Sequence, residues 1–166
     1  MGKPAVPVTP ATRQLSAAKV SYVPCLYRYE EHGGTRVAAR ELGVPEHQVI
    51  KTLVLEDDER RPLIVLMHGD LEVSTRQLAR AIGQKGVTTC RPDVAAHHTG
   101  YQVGGTSPFG TRKPVPVYME RSIADLPVVY INGGHRGFLL AMAPSEIVRL
   151  LHPTLVDVGI PASSGR

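Results

Sequence analysis

The sequence predicts an α+β domain organised on a mixed or largely antiparallel sheet. Two observations carry this expectation. Strand-like and helix-like segments follow one another without a regular βαβ repeat, and the polar run Asp57-Asp58-Glu59-Arg60 joins two apolar runs as a tight hairpin would. The length of 166 residues fits one domain. A domain of this size buries roughly two-thirds of the surface its unfolded chain exposes, so it needs no disulfide or metal to fold.

Taken in order, residues 1–8 carry three prolines or glycines and read as a flexible lead-in. Thr9 followed by Pro10 pairs a capping hydroxyl with proline in the first turn, which opens a helix running to about residue 19. An extended piece over 22–29 follows. Gly33 and Gly34 break the chain, and a short helix over 37–42 stops at Gly43. Residues 49–56 and 62–67 are the two strands of the hairpin. Ser74 with Gln77 three residues on is a capping signature for a helix that stops at Gly83. A strand over 87–90 and a helical turn over 93–98 lead to the loop TGYQVGGTSPFGTRK. Strands over 115–119, 128–132 and 138–142 come next, with a turn at 133–137 between the last two. Pro144 opens a last helix over 145–151. The single domain is expected to span 9–152, with a mobile tail over 153–166.

Composition narrows the function classes. No apolar run reaches the roughly 18 residues of a membrane span, and the opening MGKPAVPVTPATRQ lacks the apolar centre of a secretory signal, so a cytoplasmic protein is expected. Cys25 and Cys90 are the only cysteines, lie outside any CxxC spacing, and the seven histidines form no HExxH. No metal or other cofactor is implied. A net charge of +4 favours a polyanion weakly, without a basic block or aromatic pattern to identify one.

Three stretches could carry chemistry. In Gly104-Gly105-Thr106-Ser107-Pro108-Phe109-Gly110, glycines let backbone approach a ligand and turn N–H groups toward an anion or a carbonyl oxygen. It is not a phosphate loop, because Gly110 precedes Thr111 and Arg112 rather than a lysine. It is not a nucleophile elbow either, because Phe109 stands where the second glycine belongs, so Ser107 is a poor nucleophile. A plain glycine-rich surface loop would look the same by composition. Lys51 alternates onto the face of Leu53 and Leu55, so it either snorkels from a strand end or sits in a partly dry pocket. The turn Asn132-Gly133-Gly134-His135-Arg136-Gly137 reads by spacing as a hairpin connection, and Tyr27 and Tyr29 share one strand face as packing residues would.

The order of these stretches resembles the YbaK family of aminoacyl-tRNA deacylases, related to the editing insertion of bacterial prolyl-tRNA synthetases. The resemblance spans residues 9–151. It rests on an opening TPA helix, the "KTL" of Lys51-Thr52-Leu53, the loop "TGYQVGGTSPFG" and the late turn "GGHRG". The loop is its most specific element. The resemblance implies a mixed, barrel-like sheet with flanking helices and an active-site cleft upon it. It gives Lys51 the leading catalytic place, with Gly104 and Gly105 supplying backbone donors around the aminoacyl ester. It places Thr106, Ser107, Pro108, Asn132, Gly133 and Gly134 in substrate binding, with Tyr29, or Tyr27 in its stead, as pocket tyrosine.

The activity so implied is hydrolysis of mischarged tRNA in trans, on Cys-tRNA(Pro) or a related misacylated tRNA. For a cysteinyl ester the substrate's own thiol would attack, making the step a lyase-like cyclisation. The partners implied are the acceptor end of mischarged tRNA and prolyl-tRNA synthetase, with no membrane and no metal. The alternative is a non-catalytic module of the same fold that binds tRNA ends or a synthetase. Two departures from the family pattern bear on amino-acid preference. Asn132 replaces the usual serine of "SGG", and the segment between Tyr29 and Lys51 is shorter than usual.

Overall fold

A computed structural model describes residues 5–162. Residues 1–4 of the expected lead-in and 163–166 of the expected tail lie outside the described residues. Helices α1 (Pro10–Ala17), α2 (Gly34–Leu42), α3 (Thr75–Ile82), α4 (Pro92–Thr99) and α5 (Pro144–Leu151) surround ten strands. The strands are β1 (Val23–Leu26), β2 (Val49–Asp57), β3 (Pro62–His68), β4 (Leu71–Val73), β5 (Val87–Thr89), β6 (Val117–Glu120), β7 (Val129–His135), β8 (Phe138–Met142), β9 (Thr154–Val156) and β10 (Gly159–Pro161). Eight form one mixed sheet in the order β1-β8-β7-β2-β3-β6-β9, with β5 also on β2, and β10 pairs with β4 in a small ribbon. The path runs from β1 to β9 without a pairing between these two ends among the described residues.

Local chemistry accounts for the elements that position the site. At α1 the capping box is complete: Thr9 Oγ1 accepts from Thr12 N at 3.1 Å, and Thr12 Oγ1 accepts from Thr9 N at 2.9 Å. The helix stops at Ala17, two residues early, because Lys19 takes a left-handed φ of 57°. In the β2–β3 hairpin, Asp57 Oδ1 accepts from Glu59 N and Arg61 N, each at 2.9 Å, which closes the predicted turn. Helices α2 and α3 end on left-handed Gly43 and Gly83, as expected for the one residue type that takes this conformation without strain.

The main core packs Leu15, Ile64, Leu66, Phe109, Phe138 and Ile147 on one side of the sheet, all fully buried. Each such side chain contributes roughly 1.5–3 kcal/mol on burial. A second cluster joins Leu55, Leu63, Val65, Met67, Leu78 and Val158, and a third joins Ala38, Ala39, Val49 and Leu139 under α2. Strand β2 feeds all three, which is why its sequence is apolar on both faces apart from Lys51, Thr52 and its acidic end at Glu56 and Asp57.

Other expectations change too. Residues 154–156 and 159–161 are strands rather than a mobile tail, because Val156 and Val158 are apolar enough to enter the second core. Glu120 fastens this segment, its carboxylate accepting from Val158 N at 2.7 Å and Gly159 N at 2.9 Å. The expected turn at 133–137 is tighter, since β7 continues through a register shift between Asn132 and His135 and leaves only Arg136 and Gly137 to reverse the chain. Helix α2 starts at Gly34 instead of 37.

Candidate active site

Strand β2 is paired along its length by β3 on one edge. The other edge is shared. β7 runs parallel to it at Val49 and Ile50, and β5 pairs with it at Leu55 to Asp57. Between them Lys51, Thr52 and Leu53 have no strand on that edge among the described residues, and a cavity of about 520 Å³ opens there. Lys51, Tyr29, Gly104, Thr106 and Asn132 line it, together with Arg136. The lining is mostly apolar, as ligand pockets usually are.

Lys51 is half-buried, and its Nζ donates to the Leu71 carbonyl of β4 at 2.6 Å. This answers the choice left open by the sequence: the ammonium is oriented inside a pocket wall. Leu71 is itself held by the turn before it. Asp70 Oδ1 lies 2.8 Å from His47 Nδ1, and the His47 ring stacks on His68 with centroids 3.7 Å apart. His68 is buried, its Nδ1 2.7 Å from the His47 carbonyl and its Nε2 2.7 Å from Ser122 Oγ. Burial pushes the His68 imidazole below its usual range. His47, His68 and Asp70 place their ligand-type atoms within 4.8 Å of one another. Both His68 nitrogens face protein groups. Sequence spacing carries no sign of this group, because residue 47 meets residues 68 and 70 only through the antiparallel pairing of β2 with β3, which sets Ile50 opposite His68.

The glycine-rich loop is rigidly seated. Tyr101 is buried and donates to the Phe109 carbonyl at 2.6 Å, and the backbone of Gly110 packs on Pro10. Gly104 has φ 87° and faces the cavity, and a β-carbon there would fall 2.6 Å from the Tyr29 hydroxyl. Gly105 is buried instead. Its N–H donates to Gln102 O at 2.9 Å, and a β-carbon would meet Arg136 N at 2.9 Å. Thr106 lines the cavity, its hydroxyl 3.2 Å from Gln102 O. Ser107 is fully buried and accepts from Phe109 N, while Pro108 faces a separate shallow hollow beside Gln14 and Leu150.

Asn132 bridges two motifs. Its Oδ1 accepts from Gly134 N at 2.7 Å and His135 N at 3.2 Å, and its Nδ2 donates to Gly104 O at 3.1 Å. An amide can do both at once, whereas a serine hydroxyl is too short to span them. Gly133 and Gly134 do not reach the cavity. A β-carbon on the first would strike Phe138, and on the second Tyr101 and Thr9, so both are packing glycines of the bulge. Five of the ten expected site residues thus share one cavity, Gly105, Ser107, Gly133 and Gly134 lie behind it, and Pro108 lines the separate hollow. Sequence reasoning passed over Arg136 as part of a turn, and over Cys90 and Thr52. Cys90 lines the cavity with its thiol pushed up to about 11, by burial first and then by the Glu56 charge. The Thr52 hydroxyl is buried without a hydrogen-bond partner among the described residues.

The model of the aminoacyl-tRNA editing domain matches residues 31–150, which takes in β2, the glycine-rich loop and the late hairpin. The chain belongs to this family. Among its relatives, a protein of Enterococcus faecalis named "Putative Cys-tRNA(Pro)/Cys-tRNA(Cys) deacylase EbsC" is 28% identical over 151 residues, covering 90% of this chain and 92% of that one. The proline–tRNA ligase of Brachyspira hyodysenteriae is 26% identical over 84 residues, which is 51% of this chain and 14% of the ligase. The crystal structure of hypothetical protein APE2540 superposes with a TM-score of 0.84 at 24% identity, covering 92% of this chain and all of that one, and so shares the fold. No helix among the described residues is long and apolar enough to cross a membrane.

Proposed function

We propose that the chain is an aminoacyl-tRNA deacylase that hydrolyses mischarged tRNA in trans, with Cys-tRNA(Pro) or a related misacylated tRNA as substrate. The observation that carries this reading is that Lys51 and Gly104, from two separate stretches of the matched editing domain, line one cavity. Hydrolysis of an aminoacyl ester places negative charge on the carbonyl oxygen, and preorganised backbone donors lower that barrier by a few kcal/mol each. The Gly105 N–H is committed to Gln102 O, so this role falls to the Gly104 amide. Lys51, aimed by the Leu71 carbonyl, orients the substrate.

Neither Cys90 nor Ser107 is set up as a nucleophile. The Cys90 thiol, held near 11, is protonated at neutral pH, and Ser107 is turned into its own loop. Water attacks the ester carbon, the bond to the ribose oxygen breaks, and that oxygen takes the proton. For a cysteinyl ester the substrate thiolate makes the attack instead, closing a thiolactone that water then opens to free cysteine. The weak homology to proline–tRNA ligases supports a tRNA acceptor end as partner, and prolyl-tRNA synthetase as the enzyme whose errors are cleared. Deacylation of a panel of mischarged tRNAs by the purified protein tests the reading. Turnover of cysteinyl-tRNA(Pro) is expected, and tight tRNA binding without turnover of any ester would favour the non-catalytic module.

A further inference from the structure

Arg136 stands at the mouth of the cavity, exposed, with its side chain already ordered. Its Nε donates to the Val103 carbonyl at 2.9 Å, and its guanidinium carbon lies 5.2 Å from the Tyr29 ring centroid, over the face. An exposed arginine normally keeps its rotamer freedom and loses it when it binds. Here two contacts have removed that freedom beforehand. No carboxylate lies within ion-pair distance of Arg136 among the described residues, and Glu30, the nearest acid in the lining by sequence to Tyr29, is bound to Arg40 at 2.8 Å. With Nε engaged, the two terminal nitrogens carry the donors that a tetrahedral oxyanion matches best.

We propose that Arg136 binds the phosphodiester that joins the terminal adenosine to the nucleotide before it. The inference rests on the deacylase reading, which puts the aminoacyl ester beside Lys51 and Gly104 and leaves the first phosphate to emerge at the rim. It gives Arg136 a positioning role: the phosphate is gripped where the chain leaves the cavity, so the ester is held at a fixed depth. It also explains why the late hairpin packs so closely on the glycine-rich loop. Gly105 lies against the backbone of His135 and Arg136 and fixes the distance between the phosphate contact and Gly104.

Two esters of the same amino acid separate this role from a structural one: a 3′-cysteinyl adenosine, which has no phosphate, and a 3′-cysteinyl cytidylyl-adenosine, which has one. Single-turnover hydrolysis is measured for the wild type, Arg136→Gln and Arg136→Lys. The wild type is expected to prefer the dinucleotide. Arg136→Gln should raise the half-saturating concentration roughly tenfold or more on the dinucleotide, as loss of a charge-assisted contact does, with a much smaller change on the adenosine ester. Arg136→Lys should recover part of the preference, because it keeps the charge and loses the fork. Equal losses on both esters would overturn the phosphate role and leave Arg136 as a brace for Tyr29, with the deacylase reading intact. Failure of the wild type to cleave either ester, or any mischarged tRNA, would remove the deacylase reading and this inference with it.

Discussion

A β-carbon on Gly104 would stand 2.6 Å from the Tyr29 hydroxyl, inside any van der Waals contact, so the glycine and the tyrosine define one wall of the cavity together. Gly104 also has φ 87°, a conformation that costs an L-residue roughly 1–2 kcal/mol. Gly104→Ala should therefore lower deacylation at least about tenfold by displacing Tyr29, with the melting temperature falling only a few degrees. Gly105→Ala acts differently, since its β-carbon meets the backbone of His135 and Arg136. It should destabilise the domain by roughly 1–3 kcal/mol as an overpacked core does. Thermal melts and single-turnover rates on both variants check the contrast. A Gly104→Ala protein of full activity would show the wall to be irrelevant to substrate.

Lys51 and the two cysteines should separate cleanly. Lys51→Ala removes the ammonium bound to Leu71 O and is expected to cost about a hundredfold in rate, as misplacement of a substrate by an ångström can. A protein with both Cys25→Ala and Cys90→Ala should keep most of its activity. Cysteinyl-tRNA should also be cleaved much faster than seryl-tRNA, which differs in sulfur for oxygen. Rates on the two substrates with the three proteins decide the matter, and loss of activity in the cysteine variant would assign the attack to the protein.

Acid should loosen the wall behind Lys51. His68 is held neutral by burial, so its folded value lies below the ordinary 6.5 or so while the unfolded chain keeps the ordinary one. Below about pH 6.5 the unfolded state then binds a proton that the folded state does not, and stability falls with pH until the folded form protonates too. Urea midpoints at pH 7.5 and 5.5 should drop for the wild type and drop less for His68→Gln, whose amide can still reach His47 O and Ser122. Parallel losses in both proteins would assign the acid sensitivity to other groups.

The carboxylate of Glu120 should matter for order in the segment beyond α5. Glu120→Gln replaces an anionic double acceptor with an amide that has one acceptor oxygen, leaving Val158 N or Gly159 N unsatisfied. A cost of roughly 1–3 kcal/mol is expected. Limited proteolysis should then cut within 157–161 sooner than in the wild type, and unchanged cleavage kinetics would mean that apolar burial alone holds the segment.

What the sequence makes legible are interactions closed within a few residues. The cap at Thr9, the turn at Asp57, and the glycine stops at Gly43 and Gly83 are of this kind. So is the alternation that puts Lys51 with Leu53. Strands β4, β9 and β10 were not legible, because their pairing is set by remote partners such as Glu72 opposite Ile160. The site divides the same way. A motif marks where a loop is special without saying which glycine meets the substrate and which meets its neighbour. Gly104 and Gly105 are equivalent as letters, and only the approach of Tyr29 to one and of Arg136 to the other distinguishes them.

The pairing of β9 with β6 and of β10 with β4 also has a consequence for how the molecule is made. During synthesis the hairpin, the cavity and the glycine-rich loop emerge while Glu120 still lacks its two amide donors and the second core lacks Val156 and Val158. The nascent domain therefore carries an exposed strand edge at β6 and an unfilled apolar groove until residues 154–161 have left the ribosome. These few residues then supply the edge strand beside β6 and the partner of β4 together. Variants weakened there should reveal themselves as poor yield of folded protein in the cell before any defect appears in the purified enzyme.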